Sequence, residues 1–442
     1  MLKVRKKTAV VGLLLFAGAL TSLGREVVFG YLYGLSEVLD AYRVSVSLPQ
    51  TVGMLLPSVF VATLIPVLQK IRIENPEHEE IFLRKFFRQS AIGGVVVSFG
   101  LCLFSSVWIS FLAPGFSPSV RDSSAEQLLY LSWYFLLLVL IGGYKAVLDS
   151  REIFWPGAAA NLFLHGIIVV VLPVAALFGF VQRFPNGTLV VSTLLGGLIL
   201  FLVQLLVAGP LRGTRLSSEQ TLPAELLTEY AVPWKGMGIL FLYHGIGQAA
   251  RFVDRGMASQ FGNNAVSIVE YAFNIISFPS FILITSIITV FYPEFTKMLA
   301  LGDTEGARGQ VVRLSSSIFL VSFFSCIFIW LFGFEIIQFF FARGAFTSDA
   351  AIRVFDFINY QLYGVPFMVT GLLFAQILAA YGKYRLLLVL GVGKLVVKLV
   401  SALVFVKFIG WNGLPLSFSI TAIIGTILSG YIIYRIQIGR SF

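Results

Sequence analysis

The chain has 442 residues, 57% hydrophobic and only 12% charged, with a net charge of +10 and a mean hydropathy of +0.89. A soluble domain carries about a quarter charged residues, so this composition excludes a soluble enzyme and describes an all-α polytopic membrane protein. The excess Lys and Arg lie mostly in short loops, where the positive-inside rule accounts for them and no nucleic acid is implied as a partner.

A hydrocarbon core about 30 Å thick needs roughly 20 apolar residues per helix. By that measure the sequence predicts about twelve spans: 8–34, 38–69, 86–112, 126–149, 155–180, 188–209, 231–261, 266–296, 312–341, 351–381, 383–408 and 412–436. Several exceed 25 residues, which predicts tilt, kinks or protrusion. MLKVRKK is basic but no small-residue cleavage site follows it, so a cleavable signal peptide is not expected. The N-terminus, the even-to-odd loops and the C-terminus hold about 21 Lys and Arg. The opposite loops hold about 5, namely Arg121, Arg183, Arg343, Arg353 and Lys407. That asymmetry predicts cytoplasmic termini on both ends. Cys102 and Cys326 fall in apolar runs and read as small core residues.

The first span carries Arg25 and Glu26 side by side in TSLGREVVFG. Intramembrane charges are costly and usually face a bundle interior or a watery cavity. Adjacent residues point about 100° apart on a helix, so each is expected to need a partner elsewhere. Asp40 starts the second span and Arg43 follows nearly one turn later. Two roles fit: Arg25 and Arg43 line a cavity and bind an anion, or they form a salt-bridge network that locks the first two helices. Pro49, Pro57 and Pro66 lie inside the second span, as Pro279 and Pro293 lie inside the eighth. Each removes a backbone hydrogen bond and tends to bend its helix. Asn161 and His165 stand one turn apart on the fifth span, as in a polar helix–helix contact.

The seventh span reads FLYHGIGQAARFVDRGMASQFG. His244, Arg251 and Arg255 share one face, and Asp254 is close enough to pair with Arg251. Such a stripe suits a diphosphate, because Arg offers planar, permanently charged donors; a structural Arg251–Asp254 pair and a core His244 are the alternative. Lys394 and Lys398 share a face of the eleventh span, where they could line a portal or snorkel towards an interface.

The chain repeats itself. At a shift of 230 residues Arg25 falls on Arg255, Asp40 on Glu270, Pro49 on Pro279, and APGF at 113–116 on RGAF at 343–346. Each half holds six spans, so both insert with the same topology and a site between them is expected. The predicted organisation is two pseudo-symmetric six-helix lobes, 1–215 and 216–442, around a central cavity. No metal-spaced His/Cys/acid cluster, P-loop or GxSxG motif is present, so neither an enzyme nor a metal or cofactor site is expected. With no nucleotide domain, coupling would come from the membrane potential or a monovalent ion.

LGREVVFGYLYGLSEVLDAYRVSVSLPQ resembles the start of the MviN/MurJ-type lipid II flippases. The resemblance continues in IPVLQK (65–70), LAPGF (112–116), FWPGAAANLF (154–163), VDRGMASQFGNNAVSIVEYAFNIISFP (253–279), YPEF (292–295) and FARGAFTSDA (341–350). It implies the multidrug/oligosaccharidyl-lipid/polysaccharide exporter superfamily. It also implies flipping of a polyprenyl-diphosphate-linked cell-wall precursor across a bacterial cytoplasmic membrane by alternating access, with lipid-linked saccharide and membrane lipids as partners and a monomeric chain. On it, Arg25, Arg43, Arg251 and Arg255 are candidates for the diphosphate. Glu26, Asp40, Asp254 and Glu270 are candidates for charge balance or ion coupling, and Asn161, His244, Lys394 and Lys398 for polar cavity lining. Three family arginines fall on Ala19, near Gly53 and on Asn274, and the family's two further C-terminal helices lie beyond the twelve spans here. Those departures keep a second reading open, a flippase for another lipid-linked polysaccharide unit. An ion-coupled small-molecule exporter fits less well, since its pocket would be acidic rather than rich in Arg.

Overall fold

The computed structural model describes residues 2–209, 232–262 and 264–438, and among them every regular element is helical. In chain order the first helices are α1 (Leu2–Tyr33), α2 (Glu37–Glu74), α3 (His78–Leu103), α4 (Ser105–Leu112), α5 (Pro118–Ser150), α6 (Trp155–Ala158), α7 (Ala160–Leu177), α8 (Phe180–Arg183) and α9 (Pro185–Ala208). The later ones are α10 (Trp234–Ala258), α11 (Ala265–Ala300), α12 (Thr304–Phe341), α13 (Ser348–Leu362), α14 (Val365–Ala380), α15 (Tyr384–Ile409) and α16 (Gly413–Gln437). Each of the twelve expected spans overlies at least one of these helices. Eight helical stretches among the described residues are long and apolar enough to cross a membrane, nine if a bent pair counts as one.

Three spans depart from the single-helix expectation. The third breaks at Phe104, where φ is −105° and ψ 25°, so Cys102 sits beside a break rather than mid-helix. The fifth divides into α6 and α7. The tenth is the bent pair α13 and α14, which meet at 56°. Pro366 follows the bend, and a Cβ on Gly364 would lie 2.5 Å from the Ser419 backbone. Only glycine allows α16 to approach that closely.

The 230-residue repeat extends to the helix caps. Ser117 caps α5 by accepting from the Val120 N–H at 3.5 Å, and Thr347 caps α13 by accepting from the Ala350 N–H at 3.2 Å. Each follows a buried aromatic, Phe116 and Phe346. A hydroxyl satisfies a helix-end donor that would otherwise be lost in a membrane.

The contacts divide the chain into two compact units. The first comprises Met1–Leu32 and Glu37–Gly245, the second Tyr33–Ser36 and Ile246–Phe442. The expected boundary at 215/216 lies outside the described residues, and the start of α10 groups with the first unit. There, Val232 and Met237 join a core built from Leu64, Leu68, Phe82, Phe86 and Val147. Within a membrane helices associate through close packing, and α5 supplies the small residues for it. Gly142 faces Pro57 and Phe60 of α2, while Gly143 faces Phe86 and Phe87 of α3. At the end of this bundle Arg72 clamps Glu79 with two hydrogen bonds, 2.7 and 2.9 Å, and donates to the Ser150 carbonyl at 2.7 Å.

Candidate functional site

Two charged clusters are buried, one in each unit. In the first, α1 presents Arg25 and Glu26. Their expected separation is overturned: Arg25 Nη2 lies 2.5 Å from Glu26 Oε1. The 100° offset holds for Cα–Cβ directions, but a long guanidinium arm wraps back around the helix to its neighbour. Glu26 is 1% exposed and its second oxygen accepts from Arg43 Nη2 of α2 at 2.8 Å. Arg25 Nη1 also meets His165 Nδ1 of α7 at 3.1 Å, so His165 makes the expected polar helix contact. Both guanidinium groups lie over the Phe29 ring, at 5.5 and 6.0 Å. Asp40 is buried at the start of α2. Asn161 joins by its backbone, its carbonyl accepting from Thr21 at 3.4 Å.

The second cluster draws on α10, α11, α15 and α16. Arg255 donates from Nε to Glu270 Oε1 at 2.7 Å, and its buried Nη1 reaches no acceptor among the described residues. Arg251 stands 3.8 Å from Glu270 and stacks over Phe273 at 3.8 Å. Asp254 was expected to pair with Arg251; its ion pair instead runs to Lys398 of α15 at 2.5 Å. The reason is reach: the Lys398 ammonium arrives from a facing helix and is fixed there by Ser417 Oγ at 2.7 Å. Lys398 is 2% exposed, which overturns snorkelling for it. His244 falls outside the described side chains.

Arg251, Asp254, Lys394 and Lys398 line a cavity of about 560 Å³ in the second unit. Gln248, Ser277, Thr421 and Thr426 add neutral polar groups. The sequence reading missed these, although Ser417 and Thr421, one turn apart on α16 and joined by a 2.7 Å hydrogen bond, form a legible polar stripe. The two clusters differ in balance. Glu26 takes both Arg25 and Arg43, whereas Arg251 and Arg255 share Glu270, Lys398 takes Asp254, and Lys394 lines the cavity beside them. Among the described residues no group of three or more His, Cys, Asp and Glu could hold a metal ion.

Gly53, near which a family arginine was expected, packs α2 on α5: a Cβ there would lie 2.6 Å from the Leu138 side chain.

Residues 29–441 match the family model described as lipid II flippase MurJ. The chain is 22% identical over 428 residues to the lipid II flippase MurJ of Burkholderia cenocepacia, covering 92% of this chain and 79% of that protein. It is 23% identical over 382 residues to the probable lipid II flippase MurJ of Thermotoga maritima, covering 82% and 71%. Among solved structures it resembles a lipid II flippase MurJ in an inward closed conformation. That match has a TM-score of 0.80 and 17% identity, and covers 96% of this chain and 87% of that one. An inward-facing multidrug resistance MATE family transporter of the MOP superfamily matches with a TM-score of 0.78 and 16% identity, covering 96% of each chain. With the family model matched over nearly its whole length, the chain belongs to the lipid II flippase MurJ family.

Proposed function

We propose that this protein flips lipid II, or a closely similar polyprenyl-diphosphate-linked cell-wall precursor, from the inner to the outer leaflet of the bacterial cytoplasmic membrane. The observation that carries this reading is the family match over residues 29–441. The surplus of cations in the second unit, with Arg251 and Lys394 part-buried in the cavity wall, supports an anionic cargo, because a partly desolvated charge without a full counter-charge is costly unless a ligand offsets it. In this reading the protein works by alternating access as a single multi-pass chain with both termini in the cytoplasm, and it transports without catalysing a covalent step. Arg251 and Arg255 are the arginines best placed to meet a phosphate. Arg25 and Arg43 are closely paired with Glu26 and serve to hold α1, α2 and α7 together. The membrane potential or a monovalent ion supplies the driving force; moving one charge through 100 mV is worth about 2.3 kcal/mol.

Complementation tests this. A host depleted of its own lipid II flippase should grow when it expresses this protein and fail to grow with Arg255→Ala. Absence of rescue, with the protein shown to reach the membrane, would sink the lipid II reading. It would favour another lipid-linked polysaccharide unit, a cargo for which the residues at Ala19, Gly53 and Asn274 already speak. Rescue by Arg255→Ala would remove that residue from the phosphate site.

A further inference from the structure

The exposed side of α12 carries a charge that the flippase reading does not use. Glu335 lies in a stretch long and apolar enough to cross a membrane, Thr304–Phe341. The opposite side of that helix packs inward through Ser322, Cys326, Gly333 and Ile337. Glu335 is exposed, and among the described residues it has no hydrogen-bond or ion-pair partner. Phe328, Phe332, Ile336, Phe339 and Phe340 surround it and form with it a recess of about 320 Å³. Phe339 and Phe340, 64% and 50% exposed, stand between Glu335 and the Phe341 end of the helix. A cluster of exposed rings needs an apolar surrounding. Hydrocarbon or protein therefore extends past the carboxylate, which lies about 9 Å inside the helix end.

The fold does not ask for this charge. At the shift that aligns APGF with RGAF, Glu335 falls on Ser105, which is buried at the start of α4. The residues of α4 that stay exposed include Val107, Trp108 and Phe111, and the helix carries no charged side chain. The first unit thus builds the equivalent place from neutral residues. Inside the second unit Arg251, Arg255 and Lys398 are set against Glu270 and Asp254. Glu335 has no such match. An ionisable group on a membrane span is costly unless something pairs with it.

We propose that this face of α12 docks a transmembrane helix of another membrane protein, one that sets a lysine or arginine against Glu335 and apolar side chains among the phenylalanines. Charge complementarity selects that occupant. A phospholipid chain would fill the recess and leave the carboxylate without a counter-charge. A second copy of this chain, inserted the same way round, would set Glu335 level with Glu335, like charge against like. A cation on a facing helix offsets the carboxylate where the dielectric is low, and the surrounding ring faces attract it as well. The recess shares no residue with the 560 Å³ cavity, so the contact is independent of what is flipped.

The test is binding of labelled synthetic helices to the purified, labelled full chain in phosphatidylcholine vesicles, read as saturable energy transfer. The helices are leucine–alanine peptides of about 22 residues. One carries a single lysine about two turns from its end, a second carries glutamate there, and a third leucine. The lysine helix should bind at least about fivefold more tightly than the leucine helix. Glu335→Gln should erase that preference, and Glu335→Lys should transfer it to the glutamate helix. Both substitutions stand at an exposed position, so an unchanged thermal unfolding midpoint should show that the variants fold. Equal binding of the lysine and leucine helices to the wild-type chain overturns the proposal, as does a lysine preference that survives Glu335→Gln. Dodecylammonium that binds as tightly as the lysine helix, with the same dependence on Glu335, assigns the face to a cationic amphiphile and overturns a protein partner. Binding is read without transport, so its outcome is separate from that of complementation.

Discussion

The Arg25 and Arg255 clusters occupy equivalent places in the repeat and solve the same problem differently. In the first unit Glu26 follows Arg25 directly in sequence and takes two guanidinium groups, one on each oxygen. In the second unit the position after Arg255 is Gly256, and the carboxylate comes from Glu270 on the next helix. The first arrangement is closed: one buried carboxylate holds both guanidinium groups, and a histidine meets Arg25 on its other side. The second is open: it adds two lysines and one more acid, keeps a positive surplus, and lines a cavity. The first cluster is thus built as a tie between helices, and the second as a place for something negative.

Substitutions at single side chains test this contrast. The largest effect is expected at Glu26→Gln, which strands Arg25 and Arg43 without their shared carboxylate. Breaking a buried pair in this way costs about 3–5 kcal/mol, seen as a marked fall in the thermal unfolding midpoint in detergent; an unchanged midpoint would mean that the tie carries no stability. Asp254→Asn should cost less, about 2–3 kcal/mol, because its side chain is 21% exposed. Adding Lys398→Met should restore much of that loss, with a coupling of about 1–3 kcal/mol in a double-mutant cycle. Additive losses would show that the two groups act separately.

Gly53→Arg should destabilise by about 1–3 kcal/mol through overpacking against Leu138, measured by the same unfolding assay. His165→Leu removes the 3.1 Å contact with Arg25 and should cost about 1 kcal/mol. Lys394→Gln should run the other way. It deletes a charge that no carboxylate offsets, so the midpoint of the ligand-free protein should rise, by on the order of 1 kcal/mol or less. A fall comparable to that of Glu26→Gln would place Lys394 among the structural ties.

Much of this was legible in the sequence because it depends on local pattern. Apolar length located the helices, and the match of APGF at 113–116 with RGAF at 343–346 stopped just short of the paired caps at Ser117 and Thr347, which the structure adds to the repeat. The breaks were less legible. Phe104 sits in an apolar run that reads as continuous, and the bend before Pro366 depends on how closely α16 approaches Gly364. The close packing at Gly53 was not legible at all, since its partner is the Leu138 side chain 85 residues away.

The membrane class, the spans, the internal repeat and the helices that carry charge are all written in local pattern, because hydrophobic length and helical period are properties of neighbouring residues. Tertiary structure alone decided who pairs with whom: Glu26 with Arg25 and Arg43, Asp254 with Lys398, and Lys394 with neither carboxylate. Those choices depend on the reach of long side chains across helix contacts, where a few ångströms separate a neutralised charge from an open one.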